Sequence, residues 1–297
     1  MKVGVLMGGV SFERNISLLS GEEIINNLDK NKYEAIPIVI DSKNEVMIKV
    51  QNLDFALLAL HGEFGEDGTI QSILESLEIP YSGSNPLTSA LCMNKKQSKR
   101  ILKAEGIPVA SGISIYKHEG VNLKEIEKLK YPMIVKPNTG GSSIGISLVY
   151  SREELRKAIL EGFKYGNEII IEEYINGSEY AVPILDGKAL PILSIVHKSS
   201  FFDYKSKYED INTIEEVAIL SDNLQKEITE IAEKCYRIFD CTAYARVDIM
   251  VSNGSPYVLE LNTLPGMTQN SLFPKSAKAS NISYSTLLDK IIELSLK

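Results

Sequence analysis

Four polar residues near the C-terminal end of the chain have the types and spacing of a metal site. Arg246 and Asp248 lie two residues apart in an otherwise apolar run, and Glu260 and Asn262 repeat that spacing in the next run. Residues two apart on a β-strand share a face, so each pair should present its side chains together. Two carboxylates and an amide oxygen suit Mg²⁺, which prefers oxygen ligands and often shares them with substrate phosphates.

The turn between these two runs decides whether the four side chains meet. A two-residue Asn253-Gly254 turn would put Glu260 on the opposite face from Asp248. A three-residue loop over residues 252–254, with Gly254 left-handed, would put Arg246 opposite Glu260 and bring all four together. We therefore expect the longer loop. The alternative, a solvated polar face on an edge hairpin, is less favoured because the opposite face is already apolar.

A glycine- and serine-rich loop at residues 137–145 is a second candidate for chemistry, because it directly follows an apolar strand that ends in Lys136. Its glycines and serines would expose backbone N–H groups and hydroxyls, which suit phosphate oxygens. Lys136 favours this role over a plain surface turn, since such a lysine must reach solvent or pair with an anion. The loop fits neither the P-loop nor the dinucleotide-binding pattern.

A third candidate is the Pro265-Gly266 turn, which follows the predicted metal ligands directly. Such a turn could hold the Gly266 N–H toward an oxyanion that develops during a reaction. A plain turn explains this spacing equally well.

The N-terminal third of the chain alternates predicted strands with predicted helices. This alternation predicts parallel strands joined by right-handed crossovers, and therefore an open α/β sheet. In such sheets ligands bind beyond the carboxyl ends of the strands, which places residues 8–13 and 61–63 at one rim. The predicted strands cover residues 3–7, 34–40 and 55–60, and the predicted helices cover residues 17–28 and 69–77.

The rest of the chain divides into two further segments, so that we expect domains over residues 1–93, 94–176 and 177–297. The C-terminal one carries antiparallel signals and is predicted to be α+β. In the central segment the predicted helices are 94–105 and one opened by a capping box at residues 151–154, and the strands are 133–136, 148–150 and 168–174. In the C-terminal segment the predicted strands are 179–185, 190–196, 243–251 and 257–261, and the helices are 223–239 and 285–296.

Composition limits the classes of function. The 297 residues carry 32 Lys plus Arg against 39 Asp plus Glu, a net charge of −7, which argues against a nucleic-acid binder. No apolar stretch approaches the length of a membrane span, and Glu13 and Arg14 stand where a signal peptide needs a small-residue cleavage site. The three cysteines lack metal-ligand spacing and are typical of buried thiols in a reducing compartment. We expect a soluble cytoplasmic protein with no nucleic-acid or membrane partner.

A series of short motifs stands in order along nearly the whole chain. They are Gly8-Gly9-x-Ser11-x-Glu13-Arg14, Leu60-His61-Gly62, Glu66-Asp67-Gly68, Lys136-Pro137, Gly141-Ser142-Ser143-x-Gly145, Phe202-Asp203-Tyr204-x-x-Lys207-Tyr208, Arg246-x-Asp248 and Glu260-x-Asn262-Thr263-x-Pro265-Gly266-Met267-Thr268. Together they resemble the D-alanine–D-alanine ligase family, ATP-grasp enzymes of peptidoglycan precursor synthesis. The resemblance implies an N-terminal α/β domain, a central ATP-clamping domain and a C-terminal domain that carries the metals.

By this resemblance, ATP lies between the central and C-terminal domains. The nucleotide contacts it implies are Lys95 and Lys136 at the phosphates, Glu172, Glu173, Tyr174 and Ile175 along the adenine, Glu179 at the ribose, Lys207 at the γ-phosphate, and Asn262. Asp248, Glu260 and Asn262 would bind two Mg²⁺ ions, for which Mn²⁺ could substitute, and these would neutralise charge on the transferring phosphoryl group.

The resemblance also implies where the amino-acid substrates bind. Glu13 would anchor the ammonium of the first D-alanine, with His61 nearby, and Ser271 and Leu272 would hold the carboxylate of the second. ATP would phosphorylate the first carboxylate, and the amine of the second D-alanine would attack that acyl phosphate. Arg246 and the Gly266 N–H would stabilise the tetrahedral oxyanion.

The group that deprotonates the attacking amine is left open by the sequence. His61 and a relay of Tyr208, Ser142 and Glu13 are both candidates. The chain departs from the family at Gly140, where some members carry a glutamate that hydrogen-bonds the tyrosine-bearing loop. We therefore expect the loop over residues 200–208 to be a more mobile lid.

Other functions stay in view at this point. A D-alanine–D-lactate ligase is the nearest alternative, but the Lys207-Tyr208 pair resembles the dipeptide-forming members. A non-catalytic ATP-binding module is disfavoured by the complete polar set, and ligation of other amino acids is disfavoured by Glu13 together with residues 262–272. The resemblance further implies a homodimer formed through the N-terminal domain.

Overall fold

The computed structural model describes residues 1–196 and 214–297. These residues form three β-sheets, one parallel and two antiparallel, with helices packed against them. Within the same two ranges, no helix is long and apolar enough to cross a bilayer.

The N-terminal sheet is parallel, as the alternation of strands and helices predicts. Its strands are β1 (Lys2–Gly8), β2 (Glu34–Ile40) and β3 (Phe55–Leu58), in the order β2-β1-β3. The helices of this part are α1 (Arg14–Asn27), α2 (Val46–Lys49), α3 (Thr69–Ser76) and α4 (Pro86–Met93). The α4 helix has no counterpart in the sequence prediction. Its start is nevertheless encoded, because Asn85 caps it by accepting a hydrogen bond from the Thr88 N–H at 2.9 Å.

The middle sheet is antiparallel and has the order β4-β7-β5-β6. Its strands are β4 (Gly112–Tyr116), β5 (Met133–Pro137), β6 (Ser147–Val149) and β7 (Glu168–Glu173), and its helices are α5 (Lys95–Ala104), α6 (Leu123–Ile126) and α7 (Arg152–Gly162). Only one of the two hydrogen bonds of the predicted capping box of α7 forms, in which the Ser151 hydroxyl accepts from the Glu154 N–H. The Glu154 carboxylate accepts from the Tyr150 N–H instead of the Ser151 N–H.

The third sheet is antiparallel, which confirms the α+β character of the C-terminal part. Its strands are β8 (Ser178–Leu185), β9 (Lys188–Ala189), β10 (Leu193–Val196), β11 (Ile214–Val217), β12 (Tyr244–Ser252) and β13 (Ser255–Asn262), with helices α8 (Asp222–Ile238), α9 (Leu272–Ala279) and α10 (Tyr284–Ser295). The strand predicted over residues 190–196 is observed only as β10, which begins at Leu193 after a break that separates it from β9. Pro191 lies at the break and has no N–H to donate to a ladder.

The β12–β13 hairpin corrects the predicted loop but keeps its consequence. The turn is the two-residue Asn253-Gly254 turn, with φ of 50° and 78°, because Ser252 pairs with Ser255. The register then shifts by one residue beside Asp248, so that Asp248 lies opposite Glu260 and Arg246 lies opposite Asn262. Because of this β-bulge, Glu260 lies on the same face as Asp248, whereas a two-residue turn without a bulge would place it on the opposite face.

The core beneath the N-terminal sheet is shared with the C-terminal end of the chain. Buried Leu264, Met267 and Phe273 belong to the same apolar cluster as the residues of β1 and β3. The rings of Tyr244 and Phe273 meet edge to face at 5.7 Å between centroids. This packing holds the segment after β13 against the parallel sheet, next to its carboxyl rim.

Candidate active site

A cavity of about 490 Å³ lies between the middle and third sheets. Most of the nucleotide-binding residues implied by the family resemblance line it. They are Lys95, Lys136, Glu172, Glu173, Tyr174, Ile175 and Glu179, together with the predicted metal ligands Asp248 and Glu260. Residues far apart in the sequence therefore meet at one concave surface, which is where a ligand of nucleotide size would be expected.

The four polar side chains of β12 and β13 lie close together, and two of them, Asp248 and Glu260, line this cavity. Arg246 donates to both Asp248 oxygens, from Nε and from Nη2, at 2.7 Å each. The Asn262 amide donates to Asp248 Oδ2 at 2.9 Å, and Glu260 Oε2 lies 3.3 Å from Lys95 Nζ. The convergence predicted from the spacing is therefore present.

Arg246 and Asp248 are both buried, so their pairing is strong enough to fix the guanidinium. Burial alone would lower the pKa of Arg246, but the charge and hydrogen bonds of Asp248 more than offset it and raise the pKa. The side chain is therefore a permanent cation with a fixed plane. Because Nε and Nη2 hold Asp248, Nη1 is the nitrogen that we expect to contact substrate.

The donor set beside Arg246 fits a hard divalent cation that completes its coordination elsewhere. In the described parts of the chain, no three His, Cys, Asp or Glu side chains gather closely enough to hold a metal on their own. Asp248 and Glu260 instead contribute two carboxylates from paired strands. Asn262 turns its amide nitrogen to Asp248, so its oxygen is the atom able to bind a cation. Such a partial oxygen set is usual where substrate phosphates supply further ligands.

A buried cluster of two lysines and one glutamate lies along the cavity wall. Glu172 Oε1 is 2.5 Å from Lys136 Nζ, and Glu172 Oε2 is 2.6 Å from Lys99 Nζ. Glu173 is not part of this cluster, because its carboxylate accepts from the Ser111 N–H at 2.8 Å. The sequence predicted Lys136 and Glu172 at the nucleotide but gave Lys99 no role.

The Glu172 cluster predicts a specific dependence of stability on pH. Burial alone would raise the pKa of Glu172, but Lys136 and Lys99 lower it from 4.5 to about 2. A lowered pKa stabilises the fold above the unfolded-state value, and this stabilisation is lost as the pH falls through the folded-state value. Between about pH 5 and pH 2, we expect the free energy of unfolding to fall by roughly 3 kcal/mol more in the wild type than in Glu172→Gln.

Denaturant unfolding at a series of pH values measures this difference. Glu153→Gln is the matched control, because that side chain is 80% exposed. Parallel pH profiles for the wild type and Glu172→Gln would contradict the prediction.

The glycine- and serine-rich loop bends sharply between β5 and β6. Ser142 and Ser143 have φ of 54° and 58°, an unusual left-handed conformation for two successive residues with side chains. Lys95 Nζ donates to the Gly140 carbonyl at 2.6 Å, and Ser143 lines the cavity. The loop therefore lies against the nucleotide-sized space, as its composition predicts.

Asn138 connects this loop to helix α5 and was missed in the sequence. Its amide nitrogen donates to Asn94 Oδ1 at 3.0 Å and to Glu168 Oε2 at 2.8 Å, and its amide oxygen accepts from the Lys96 N–H at 2.8 Å. The Asn138 carbonyl also accepts from the Lys95 N–H at 3.1 Å. These bonds hold Lys95 beside the strand that carries Lys136.

We expect Asn138→Ala to lower the free energy of unfolding by about 2 kcal/mol, since it removes three hydrogen bonds that this buried side chain makes. Urea denaturation measures this loss. Asn122→Ala is the control, because Asn122 is exposed and its side chain does not cap the α6 helix. Equal effects of the two substitutions would contradict the prediction.

A second group of polar residues lies at the rim of the parallel sheet. The Ser142 hydroxyl donates to Glu13 Oε1, so the loop over residues 137–145 reaches across to the start of α1. Glu13 is buried. A Cβ at Gly62 would lie 2.8 Å from Glu13 Oε2, which explains why a glycine with φ of 68° stands there.

His61 lies at the same rim, in the loop that follows β3, and faces α1. Its Nε2 is 3.4 Å from Ser20 Oγ, and its Nδ1 is 3.6 Å from Glu66 Oε1. Burial, the largest influence, raises the pKa of Glu66. Glu66 belongs to a motif that the sequence singled out without assigning a role, and the structure places it beside His61.

The residues predicted to hold the second amino acid lie in the segment after β13. Ser271 Oγ is 2.7 Å from Thr268 Oγ1, and a Cβ at Gly266 would come within 3.1 Å of Ser271 Oγ. Leu272 is buried in a small apolar cluster with Leu193 and Ile195. If Leu272 binds substrate, it must therefore do so through its backbone.

Two predicted site residues, Lys207 and Tyr208, lie outside the described residues, as does the predicted lid over residues 200–208. Lys99 and Asn138 are the described residues that the sequence reasoning missed near the cavity. The signal for Lys99 was its position four residues after Lys95 on a predicted helix, which places both on one face.

Comparisons with known proteins agree with the geometry. The family model "D-ala D-ala ligase N-terminus" matches residues 2–51 and 44–84, and "D-ala D-ala ligase C-terminus" matches residues 101–293. A D-alanine–D-alanine ligase of Bacillus anthracis is 53% identical over 297 residues, covering 100% of this chain and 98% of that protein.

Solved structures give the same result at the level of the fold. The structure of D-alanine–D-alanine ligase from Bacillus anthracis complexed with ATP superposes with a TM-score of 0.92 at 50% identity, covering 100% of this chain and 97% of the other. A D-Ala:D-Ser ligase from Enterococcus faecalis superposes with a TM-score of 0.86 at 31% identity, covering 99% of each chain. The expected ATP-grasp architecture is confirmed, and the chain belongs to the D-alanine–D-alanine ligase family.

Proposed function

We propose that this chain joins two D-alanines into D-alanyl-D-alanine and converts ATP to ADP and phosphate in the process, for peptidoglycan precursor synthesis. The observation that carries the proposal is that Lys95, Lys136, Asp248 and Glu260 line one cavity, and that Arg246 is paired with Asp248 beside it. A phosphate-binding wall and a fixed cation then lie within reach of the rim that holds Glu13. Such an arrangement suits an acyl phosphate made on one side and consumed on the other.

ATP occupies the cavity in this proposal. Lys95 and Lys136 bind its phosphates, the segment over residues 172–175 lies along the adenine, and Glu179 binds the ribose. Lys207 reaches the γ-phosphate. The members of this set that the structure describes all line the cavity, which supports the assignment.

The metal ligands in this proposal are Asp248, Glu260 and Asn262, whose oxygens suit two Mg²⁺ ions or Mn²⁺. The bound cations would neutralise charge on the transferring phosphoryl group. Lys95 adds its positive charge to the same neutralisation, since its Nζ lies 3.3 Å from Glu260 Oε2.

In the first step a carboxylate oxygen of the first D-alanine bonds to the γ-phosphorus, and the bond to the ADP oxygen breaks. Glu13 holds the ammonium of that D-alanine, and Ser142 fixes the Glu13 carboxylate through its hydroxyl. In the second step the amine of the second D-alanine attacks the acyl carbon, and phosphate leaves with the carboxylate oxygen. Arg246 and the Gly266 N–H stabilise the oxyanion between these events, while Ser271 and the Leu272 backbone hold the second carboxylate.

One proton must leave the attacking amine. The contact between Ser142 and Glu13 provides two members of a relay that would end at Tyr208. His61 is the second candidate, and its position beside Glu66 would let it pass a proton to a carboxylate.

An ADP-release assay tests the proposed function. ADP should form with D-alanine and Mg²⁺ together, and not with L-alanine, with D-lactate or with Mg²⁺ withheld. Formation of D-alanyl-D-lactate in preference to D-alanyl-D-alanine from a mixture of D-alanine and D-lactate would favour depsipeptide synthesis instead. ATP binding without any release would reduce the chain to a nucleotide-binding module.

We also propose that the chain works in the cytoplasm as a homodimer that pairs through its N-terminal domain. The three cysteines are buried thiols, which supports a reducing compartment. Light scattering after size-exclusion chromatography tests the dimer, and a mass near the 32.9 kDa of one chain would contradict it.

A further inference from the structure

Lys99 lies behind the wall of the proposed ATP cavity. Lys136 and Glu172 line the cavity. Lys136 contacts Glu172 Oε1, and Lys99 Nζ lies 2.6 Å from the other carboxylate oxygen, Oε2. Its side chain is only 11% exposed, although it projects from the same helix face as Lys95. Burying most of a charged lysine side chain costs free energy, so its position calls for a compensating role.

The charge balance at the cavity suggests that role. Glu172 lies 2.5 Å from Lys136, so this pair by itself would be neutral and would offer little net attraction to a polyphosphate. The groups in direct contact with one another are the cations Lys99 and Lys136 and the carboxylate of Glu172. The set carries one net positive charge with Lys99 and none without it.

We propose that Lys99 is a positioning residue for nucleotide binding, which neutralises Glu172 so that Lys136 presents an uncompensated positive charge to the phosphates of ATP. This inference rests on the proposed ATP-dependent function. According to this inference, the charge of Lys99 strengthens binding of the phosphates and does not affect binding of the nucleoside. The two parts of the ligand can therefore be tested separately.

The first test measures the affinities of ATP and of adenosine for the full chain by titration calorimetry, with Mg²⁺ present and D-alanine absent. Lys99→Met keeps the length of the side chain and removes its charge. We expect it to weaken ATP binding roughly 10- to 50-fold, the effect of one charge acting over several ångströms at an effective dielectric constant of about 20. Adenosine affinity should change less than about twofold, because adenosine carries no phosphate. The charge-preserving Lys99→Arg should stay within about threefold of wild type for ATP.

A double variant separates the electrostatic role from a structural one. In Lys99→Met with Glu172→Gln, the carboxylate that would compensate Lys136 is also gone. Replacing both partners of a buried ion pair is tolerated far better than replacing one. The ratio of ATP affinity to adenosine affinity should therefore return to within about fivefold of the wild-type ratio.

Three results would overturn the inference. The ratio could be unchanged in Lys99→Met, it could stay low in the double variant, or both ligands could weaken equally in Lys99→Met. A wild-type chain that binds no ATP is a different failure, because it overturns the proposed function itself.

Discussion

Arg246→Lys is expected to lower kcat for ADP release with D-alanine by roughly 10²- to 10³-fold, the usual effect of removing one oxyanion donor. Arg246 binds Asp248 through two nitrogens and keeps a third for the substrate. A lysine retains the charge, but its single ammonium cannot hold Asp248 and an oxyanion at once. The KM for ATP should change much less than kcat, since Lys95 and Lys136 provide most of the proposed contacts to the nucleotide phosphates.

Arg237→Lys is the matched control, because Arg237 is 64% exposed on the surface of helix α8. Its kcat should stay within about twofold of the wild type, as for surface substitutions in general. Thermal unfolding of both variants checks that Arg246→Lys remains folded. A kcat for Arg246→Lys close to that of the control would remove Arg246 from the reaction.

Glu13→Gln is expected to raise the KM for the first D-alanine by at least roughly 30-fold, because a buried carboxylate would lose its charge opposite the substrate ammonium. The glutamine oxygen can still accept a hydrogen bond from Ser142, so the loop contact is kept. ATP affinity should therefore stay near that of the wild type. Initial rates across a wide range of D-alanine concentrations separate the first binding step from the second.

Glu22→Gln tests the same substitution on an exposed position of the same helix. It should leave both D-alanine constants unchanged. If Glu13→Gln behaves like this control, the first amino acid does not bind through Glu13.

Much of the fold follows from local patterns in the sequence. Strand β2 was predicted over residues 34–40, and its bounds are Glu34–Ile40. The spacing of Arg246 with Asp248 and of Glu260 with Asn262 also predicted a shared face. These features depend only on the two-residue period of a strand, which each segment carries by itself.

Other features were missed because their signals are short or weak. Strand β4 has two small residues, Gly112 and Ser114, within five positions, so its apolar alternation is faint. Helix α9 carries Pro274 in its first turn, where proline is tolerated although it usually marks a break. The sequence prediction contains no helix over this segment.

The hairpin shows why register was not predictable. Asn253-Gly254 is the ordinary signal of a two-residue turn, and the chain follows it. The compensating bulge adds one residue on β13, and nothing in the apolar pattern marks it. The ion pairs of Glu172 with Lys99 and Lys136 are a second case, since they depend on the pairing of β5 with β7 and on where helix α5 packs.

The most direct test of the proposed chemistry follows an oxygen atom. D-alanine labelled with ¹⁸O in its carboxylate is incubated with ATP, Mg²⁺ and the chain, and the released phosphate is analysed by mass spectrometry. If a carboxylate oxygen bonds to the γ-phosphorus and leaves with it, each phosphate will carry one labelled oxygen. Phosphate without the label, formed together with D-alanyl-D-alanine, would show that no acyl phosphate is made.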